Sequence, residues 1–238
     1  LEQMRLKFSK GLSLDDAKAI RNIIPGVVSV APQAEAKLEA KVADRSSKST
    51  VIGITPDILN ILNYSTEKGE FINSDHYERQ LKVCVLGATV SKELFGYENP
   101  VSKSVKLGDQ WFEVIGLMET KALFTETVGE LASRDLNNDV YIPLSTLIKR
   151  IPKENPLESD IKQLTVHLKN SKDLIETSVV IRNIINRHHF NNEDFSIIVP
   201  YELMKQEERE SRIYNILLAS IAAISLIVGG IGIMNIML

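Results

Sequence analysis

Apolar and polar residues alternate with two different periods along this chain, and the period changes several times. Ser13 reads as an N-cap, with Asp15 and Asp16 in a first turn whose dipole favours negative charge. Leu14, Ala17, Ile20 and Ile24 then share one helical face, and Pro25-Gly26 closes the helix. Residues 1–8 alternate as a strand, and Val27 to Val30 reads as another, continuing irregularly to Val42. The polar stretch Asp44 to Lys48 predicts a turn, and Thr50 to Ile54 a strand. Thr55-Pro56-Asp57 opens a short helix through Leu62, with Thr55 as cap and Pro56 at the first position.

The middle of the chain reads as strand-rich. Leu81 to Leu86 is a strand that Gly87 breaks, and Val90 to Phe95 is a short helix closed by Gly96. Ser104 to Leu107 and Trp111 to Leu117 form a hairpin around Gly108-Asp109, a strong turn pair. On that hairpin, one of Trp111 and Phe112 should face the core and the other solvent. Residues 119–138 are polar and carry no clear period. Asp139 to Ile142 is a short strand, and Pro143 leads into a helix through Lys149. Gln163 to Leu168 is a strand, Ser171 caps a helix carrying Leu174, Ile175, Ile181, Ile184 and Ile185, and Phe195 to Val199 is a further strand.

Strand–helix–strand therefore stands at both ends of a strand-rich centre. The expected fold is α+β: a split βαβ domain built from residues 1–63 and 161–200, with a small α/β subdomain of residues 64–160 inserted between the halves. Beyond it, Tyr201 to Arg212 carries Glu202, Lys205, Glu207, Glu208, Arg209, Glu210 and Arg212 with no helix breaker. A helix polar nearly all round bridges solvent, so 201–212 reads as a stalk.

Every charged residue lies at or before Arg212. The run Ile213 to Leu238 is uncharged and would extend roughly 39 Å as a helix. A bilayer core is about 30 Å thick, so 213–238 is expected to be one transmembrane helix. The chain opens on Leu1 and closes within this run, which reads as a fragment of a longer membrane protein. Ala219 with Ala223, and Ser225 with Gly229, are four apart; together with Gly230 and Gly232 they form a small-residue face suited to helix packing in lipid.

Composition excludes more than it selects. The 238 residues are 44% apolar and 25% charged with a net charge of −3, so no basic excess points to nucleic acid. Cys84 is the only cysteine, in an apolar run, and is expected to be a buried strand residue rather than half of a disulfide. There is no G-x-x-x-x-G-K-[ST] loop and no G-x-S-x-G elbow, and Gly229-Gly230-Ile231-Gly232 does not follow a strand as a dinucleotide motif must. His188 and His189 are adjacent and should point to different faces; with Arg187 they read as a positive C-terminal cap rather than metal ligands. His76 and His167 have no acidic or cysteine neighbours at ligand spacing, and Asp15-Asp16 is better explained by a helix start than by carboxylate catalysis. No catalytic, cofactor or metal residue is expected.

The run Ile224-Ser225-Leu226-Ile227-Val228-Gly229-Gly230-Ile231-Gly232-Ile233-Met234-Asn235-Ile236-Met237-Leu238 closely resembles the second membrane helix of MacB-type ABC transporter permeases, within the FtsX-like permease group. Leu12 to Ala17 through Ile24-Pro25-Gly26-Val27, Val51 to Pro56 with Gly69-Glu70-Phe71-Ile72, Val85-Leu86-Gly87 with Leu94-Phe95-Gly96, Val114-Ile115-Gly116, and Asn138 to Thr146 resemble the family's extracytoplasmic domain, in family order. Two stretches depart from the family: residues 120–137 are polar where glycine is usual, and Asn138 stands where a second acid often precedes the strand. The resemblance implies a porter-like domain with an inserted subdomain, in a homodimeric permease of the bacterial cytoplasmic (inner) membrane with residues 1–212 extracytoplasmic. It further implies a cytoplasmic ATPase, fused or separate, that holds ATP and Mg; in two-membrane bacteria, a periplasmic adaptor and an outer-membrane channel; and contact with membrane lipid. Mechanotransmission through the helix 201–238 is the expected mechanism. The alternatives are an FtsX-like regulator of cell-wall hydrolases, a Lol-type lipoprotein-releasing permease, and an extracellular enzyme on a membrane anchor.

Overall fold

The computed structural model describes residues 11–62, 65–120, 135–153, 155, 158–170, 173–192, 194–199, 212–227 and 231. The chain divides into two compact units, Leu1–Ile197 and Ile198–Leu238.

In the first unit, α1 (Leu14–Ile23) begins with the cap that the sequence predicts. The Ser13 hydroxyl accepts the Asp16 N–H at 3.2 Å, and the Asp16 carboxylate accepts the Ser13 N–H at 2.9 Å, a reciprocal capping box. β1 (Val27–Val42) and β2 (Arg45–Ile54) follow as one long hairpin, in register from Ala34↔Gly53 to Val42↔Arg45. The turn expected over Asp44 to Lys48 is thus confined to Ala43-Asp44. Cross-strand pairing wins over local polarity because Ser47 and Ser49 point inward and are buried. Ala43 takes φ 50°, a left-handed value that costs a side chain free energy. Ala43→Gly is therefore expected to stabilise the unit by roughly 0.5–1 kcal/mol, read as a raised urea midpoint.

Three short elements follow: α2 (Ile58–Leu62), β3 (Thr66–Gly69) and α3 (Ser74–Glu78), the last two unanticipated. Then come β4 (Val83–Leu86), α4 (Ala88–Phe95), β5 (Ser104–Leu107) and β6 (Gln110–Met118). A 3-10 turn at Leu136–Asn138 leads into β7 (Asp139–Pro143) and α5 (Leu144–Arg150), and β8 (Gln163–Leu168) into α6 (Leu174–His188). These agree with the periodic reading to within two residues at most ends. Helix α6 starts after Asp173, whose side chain makes no cap bond; Ser171, expected as the cap, lies outside the described residues.

The strands pair in the order β2-β7-β4-β6-β5-β1-β8, with β3 on β6 and a further β1–β2 pairing. That extra pairing closes a ring of six strands, β1-β2-β7-β4-β6-β5. β1 serves twice. Its first half, Val27 to Gln33, pairs with β8, and its second half pairs with β2 on one side and β5 on the other.

Burial explains why these strands read as continuous apolar runs. Cys84 and Leu86 of β4 enter one cluster with Val51, Val105, Phe112, Val114, Val140, Ile142 and Leu94. The alternate residue Val85 enters a second with Ile52, Ile54, Ile58, Ile72 and Tyr141. Both faces are covered, as in parallel pairs such as β2–β7 and β4–β6. Phe112 is 1% exposed and Trp111 55%, the split expected of adjacent strand residues. Cys84 is buried, and burial pushes its thiol well above the ordinary range, so it is chemically quiet. A third cluster joins α1 (Ala17, Ile20), Ile24, Val30 of β1 and Ile185 of α6, with Ile181, Ile184, Leu164 and Phe195 against it.

One predicted strand is corrected. Residues 194–199 form no regular element; Phe195 instead packs edge-on to the His189 ring at 6.0 Å between centroids. An aromatic contact against the third cluster takes the place of a ladder. The other outer strand, residues 1–8, lies outside the described residues.

In the second unit the described residues are helical over 212–227 and at 231. Helix 212–227 is named α7. Among the described residues no helix is long and apolar enough to cross a membrane.

Candidate functional site

Two regions could carry function, and the sequence pointed to only one of them. The first is the expected stalk and membrane segment. Arg212 is the first described residue of α7, and Ala219, Ala223 and Ser225 lie along it, all exposed. Glu202, Lys205, Glu207, Glu208, Arg209 and Glu210, with Gly229, Gly230 and Gly232, lie outside the described residues. The large apolar residues of α7 are uncovered on every side: Ile213, Leu217, Leu218, Ile221, Ile224 and Ile227 are each more than half exposed. A helix buried along one stripe would show polar residues opposite; this one does not. Its only described side-chain bond is local, from Ser220 Oγ to the Ile216 carbonyl at 2.8 Å.

The second region is a buried polar cluster where α1 meets the end of α6. Asp16, 1% exposed, sits in the first turn of α1, where the dipole and the capping box hold its carboxylate. Ser13 Oγ donates to its Oδ2 at 2.7 Å. His188 Nδ1 lies 2.7 Å from Oδ1, and His189 Nε2 lies 3.1 Å from Oδ2. The other nitrogen of His189, Nδ1, lies 2.7 Å from Asp194 Oδ1. Burial raises the Asp16 carboxyl, but hydrogen bonds from Ser13, His188 and His189 outweigh it and hold the group below its ordinary value. Burial likewise lowers His189, but the hydrogen bonds to Asp194 and Asp16 win and hold it above its ordinary value.

The two adjacent histidines do not diverge as an unbroken helix would make them. α6 ends at His188, and His189 is the cap residue at φ −94°, ψ 15°, so both rings turn onto Asp16. The positive C-terminal cap was foreseen; its carboxylate partner was not. Position 16 is far from 188 along the chain, and the only hint was a Ser-x-x-Asp cap beside a His-His helix end. Among the described residues no set of three or more side chains is arranged to hold a metal ion.

The first unit shares its fold with extracytoplasmic domains of ABC-type transporters. It matches the periplasmic region of MacB from Actinobacillus actinomycetemcomitans at a TM-score of 0.67 and 19% identity, covering 84% of each chain. The extracellular domain of the noncanonic ABC-type transporter YknZ from Gram-positive bacteria matches at 0.65 and 17% identity, over 79% of this chain and 89% of that one.

The chain belongs to the MacB-like periplasmic core domain family, which it matches over residues 3–184. It is 28% identical over 232 residues to the macrolide export ATP-binding/permease protein MacB of Bdellovibrio bacteriovorus, across 95% of this chain and 34% of that protein. It is also 28% identical over 228 residues to the pyoverdine export ATP-binding/permease protein PvdT of Pseudomonas aeruginosa, across 95% of this chain and 33% of the relative. The chain thus spans about a third of the length of the curated relatives it matches.

Proposed function

We propose that this chain is the extracytoplasmic domain of a MacB-type export permease, with residues 1–212 outside the bacterial cytoplasmic membrane and 213–238 crossing it. One observation carries the reading: a periplasmic core domain over residues 3–184 is followed by a segment that loses all charge at Ile213. Water would force such a helix to bury a face, whereas hydrocarbon solvates all of it. The domain boundaries and membrane packing face of the sequence reading belong to this proposal.

In this reading the chain binds no cofactor and performs no chemistry. ATP and Mg2+ belong to an ATPase domain, fused or separate, as the ATP-binding/permease names of the relatives support. Two copies form the permease, joined in two-membrane organisms by a periplasmic adaptor and an outer-membrane channel. The stretch Tyr201 to Leu238 contains no proline. As one stiff helix it carries displacement from the cytoplasmic side to the domain above. Its membrane part has no charge to line an ionic path, so cargo moves on the outer side rather than through the bilayer.

The test is an insertion of a short glycine-serine linker between Val199 and Glu207 in the complete complex. Efflux should fall several-fold while ATP hydrolysis continues, because a flexible link cannot pass on a push. Undiminished efflux with the linker in place would remove the lever. Separately, residues before Arg212 should be open to protease added outside intact spheroplasts.

A further inference from the structure

The ends of α1 and α6 meet through charge as well as through apolar packing. The Asp16 carboxylate receives the Ser13 N–H at 2.9 Å, the Ser13 hydroxyl at 2.7 Å, His188 at 2.7 Å and His189 at 3.1 Å. An ionised carboxylate only accepts, so each ring nitrogen turned to it carries a proton. His189 has both nitrogens engaged in this way, one on Asp16 and one on Asp194. It is therefore an imidazolium held between two carboxylates, with its side chain 6% exposed. The titratable groups around it are Asp16 from α1, Asp194 from the segment after α6, and His188 from α6 itself, which shares Asp16.

We infer that this cluster is a proton-operated latch that pins the C-terminal end of α6, and the residues leaving it, to the start of α1. While His189 is charged, it donates to both carboxylates. Loss of one proton turns one ring nitrogen into an acceptor facing a carboxylate oxygen, and that repulsion beside the buried Asp16 relaxes by opening.

The direction of the pH dependence follows from the two shifts. His189 is held above its ordinary value, so its contribution is complete below about pH 6.5 and lost as pH rises through the raised value. Asp16 is held below its ordinary value, so its contribution is complete above about pH 3.9 and lost as pH falls through the lowered value. The latch is fully closed between about pH 4 and 6.5 and opens on the alkaline side. This inference does not depend on the transport reading.

The experiment uses the full chain in detergent micelles with ring-labelled histidine, each of the four signals assigned by its His→Gln variant. His189 should titrate above the ordinary histidine value. Hydrogen exchange of amides 185–192, corrected for intrinsic rate, should be about tenfold faster at about pH 8.5 than at about pH 5.5. Asp194→Asn, which keeps the shape and removes one charge, should lower the His189 titration point and shrink that contrast, leaving β4 and β6 amides unchanged. A His189 titrating at or below the ordinary value, or protection at the end of α6 that ignores pH, would overturn the latch. So would an Asp194→Asn variant with the wild-type contrast.

Discussion

Phe112→Ala is expected to destabilise the first unit by about 3–5 kcal/mol, the usual cost of removing a buried aromatic ring. The ring is 1% exposed and belongs to the cluster to which all six ring strands contribute, with Leu86, Val105, Val114, Val140 and Ile142. β6 is anchored on two sides, antiparallel to β5 and parallel to β4, so the backbone cannot collapse into the space left behind. A cavity adds its own penalty to the lost transfer free energy, and the thermal midpoint should drop by roughly 10 °C or more. Trp111→Ala is the internal control. That neighbour is 55% exposed, and its truncation should change stability by no more than about 0.5 kcal/mol. A larger loss at Trp111 than at Phe112 would mean that β6 faces the other way.

Gly87→Ala should cost about 2–3 kcal/mol by overpacking, through space rather than through backbone conformation. At φ −71° and ψ 157° any residue is comfortable there. An added Cβ, however, would meet the Asn137 carbonyl oxygen at 2.4 Å and that of Asp139 at 2.8 Å. Those atoms are backbone and do not swing aside, and the Gly87 N–H already donates to the Asp139 carbonyl at 2.8 Å. The junction of β4, α4 and the turn before β7 would have to spread. A lowered urea midpoint with an unchanged slope is the expected reading; an unchanged midpoint would mean the junction is looser than described.

The contrast between those positions shows what could be read before any coordinates. β4, β5, β6, β7 and β8 lie within about two residues of their expected ends, because alternation and apolar runs report burial directly. β3 and α3 escaped notice since Thr66–Gly69 and Ser74–Glu78 are short and polar, and pairing with β6 rather than composition makes the first a strand. Phe195 to Val199 misled in the opposite sense: alternating apolar residues find an aromatic contact and, among the described residues, no partner strand. The predicted coupling and packing residues rested on charge and residue size in the final segment, which are legible without a fold. The Asp16 cluster rested on two segments far apart along the chain, and no local period can report that.

The closed ring also sets an order of events during biosynthesis. The β1–β2 hairpin can zip as soon as Ile54 has emerged, since its partners are neighbours in the chain. Ring closure must wait, because β2 finds its other partner only at Asp139–Pro143; β8, outside the ring, joins β1 later still, at Gln163–Leu168. Such distant pairings carry high contact order and fold slowly, which leaves unpaired strand edges open in the half-made chain. Nascent polypeptide ending between Met118 and Asp139 should therefore be the species most dependent on a holding chaperone.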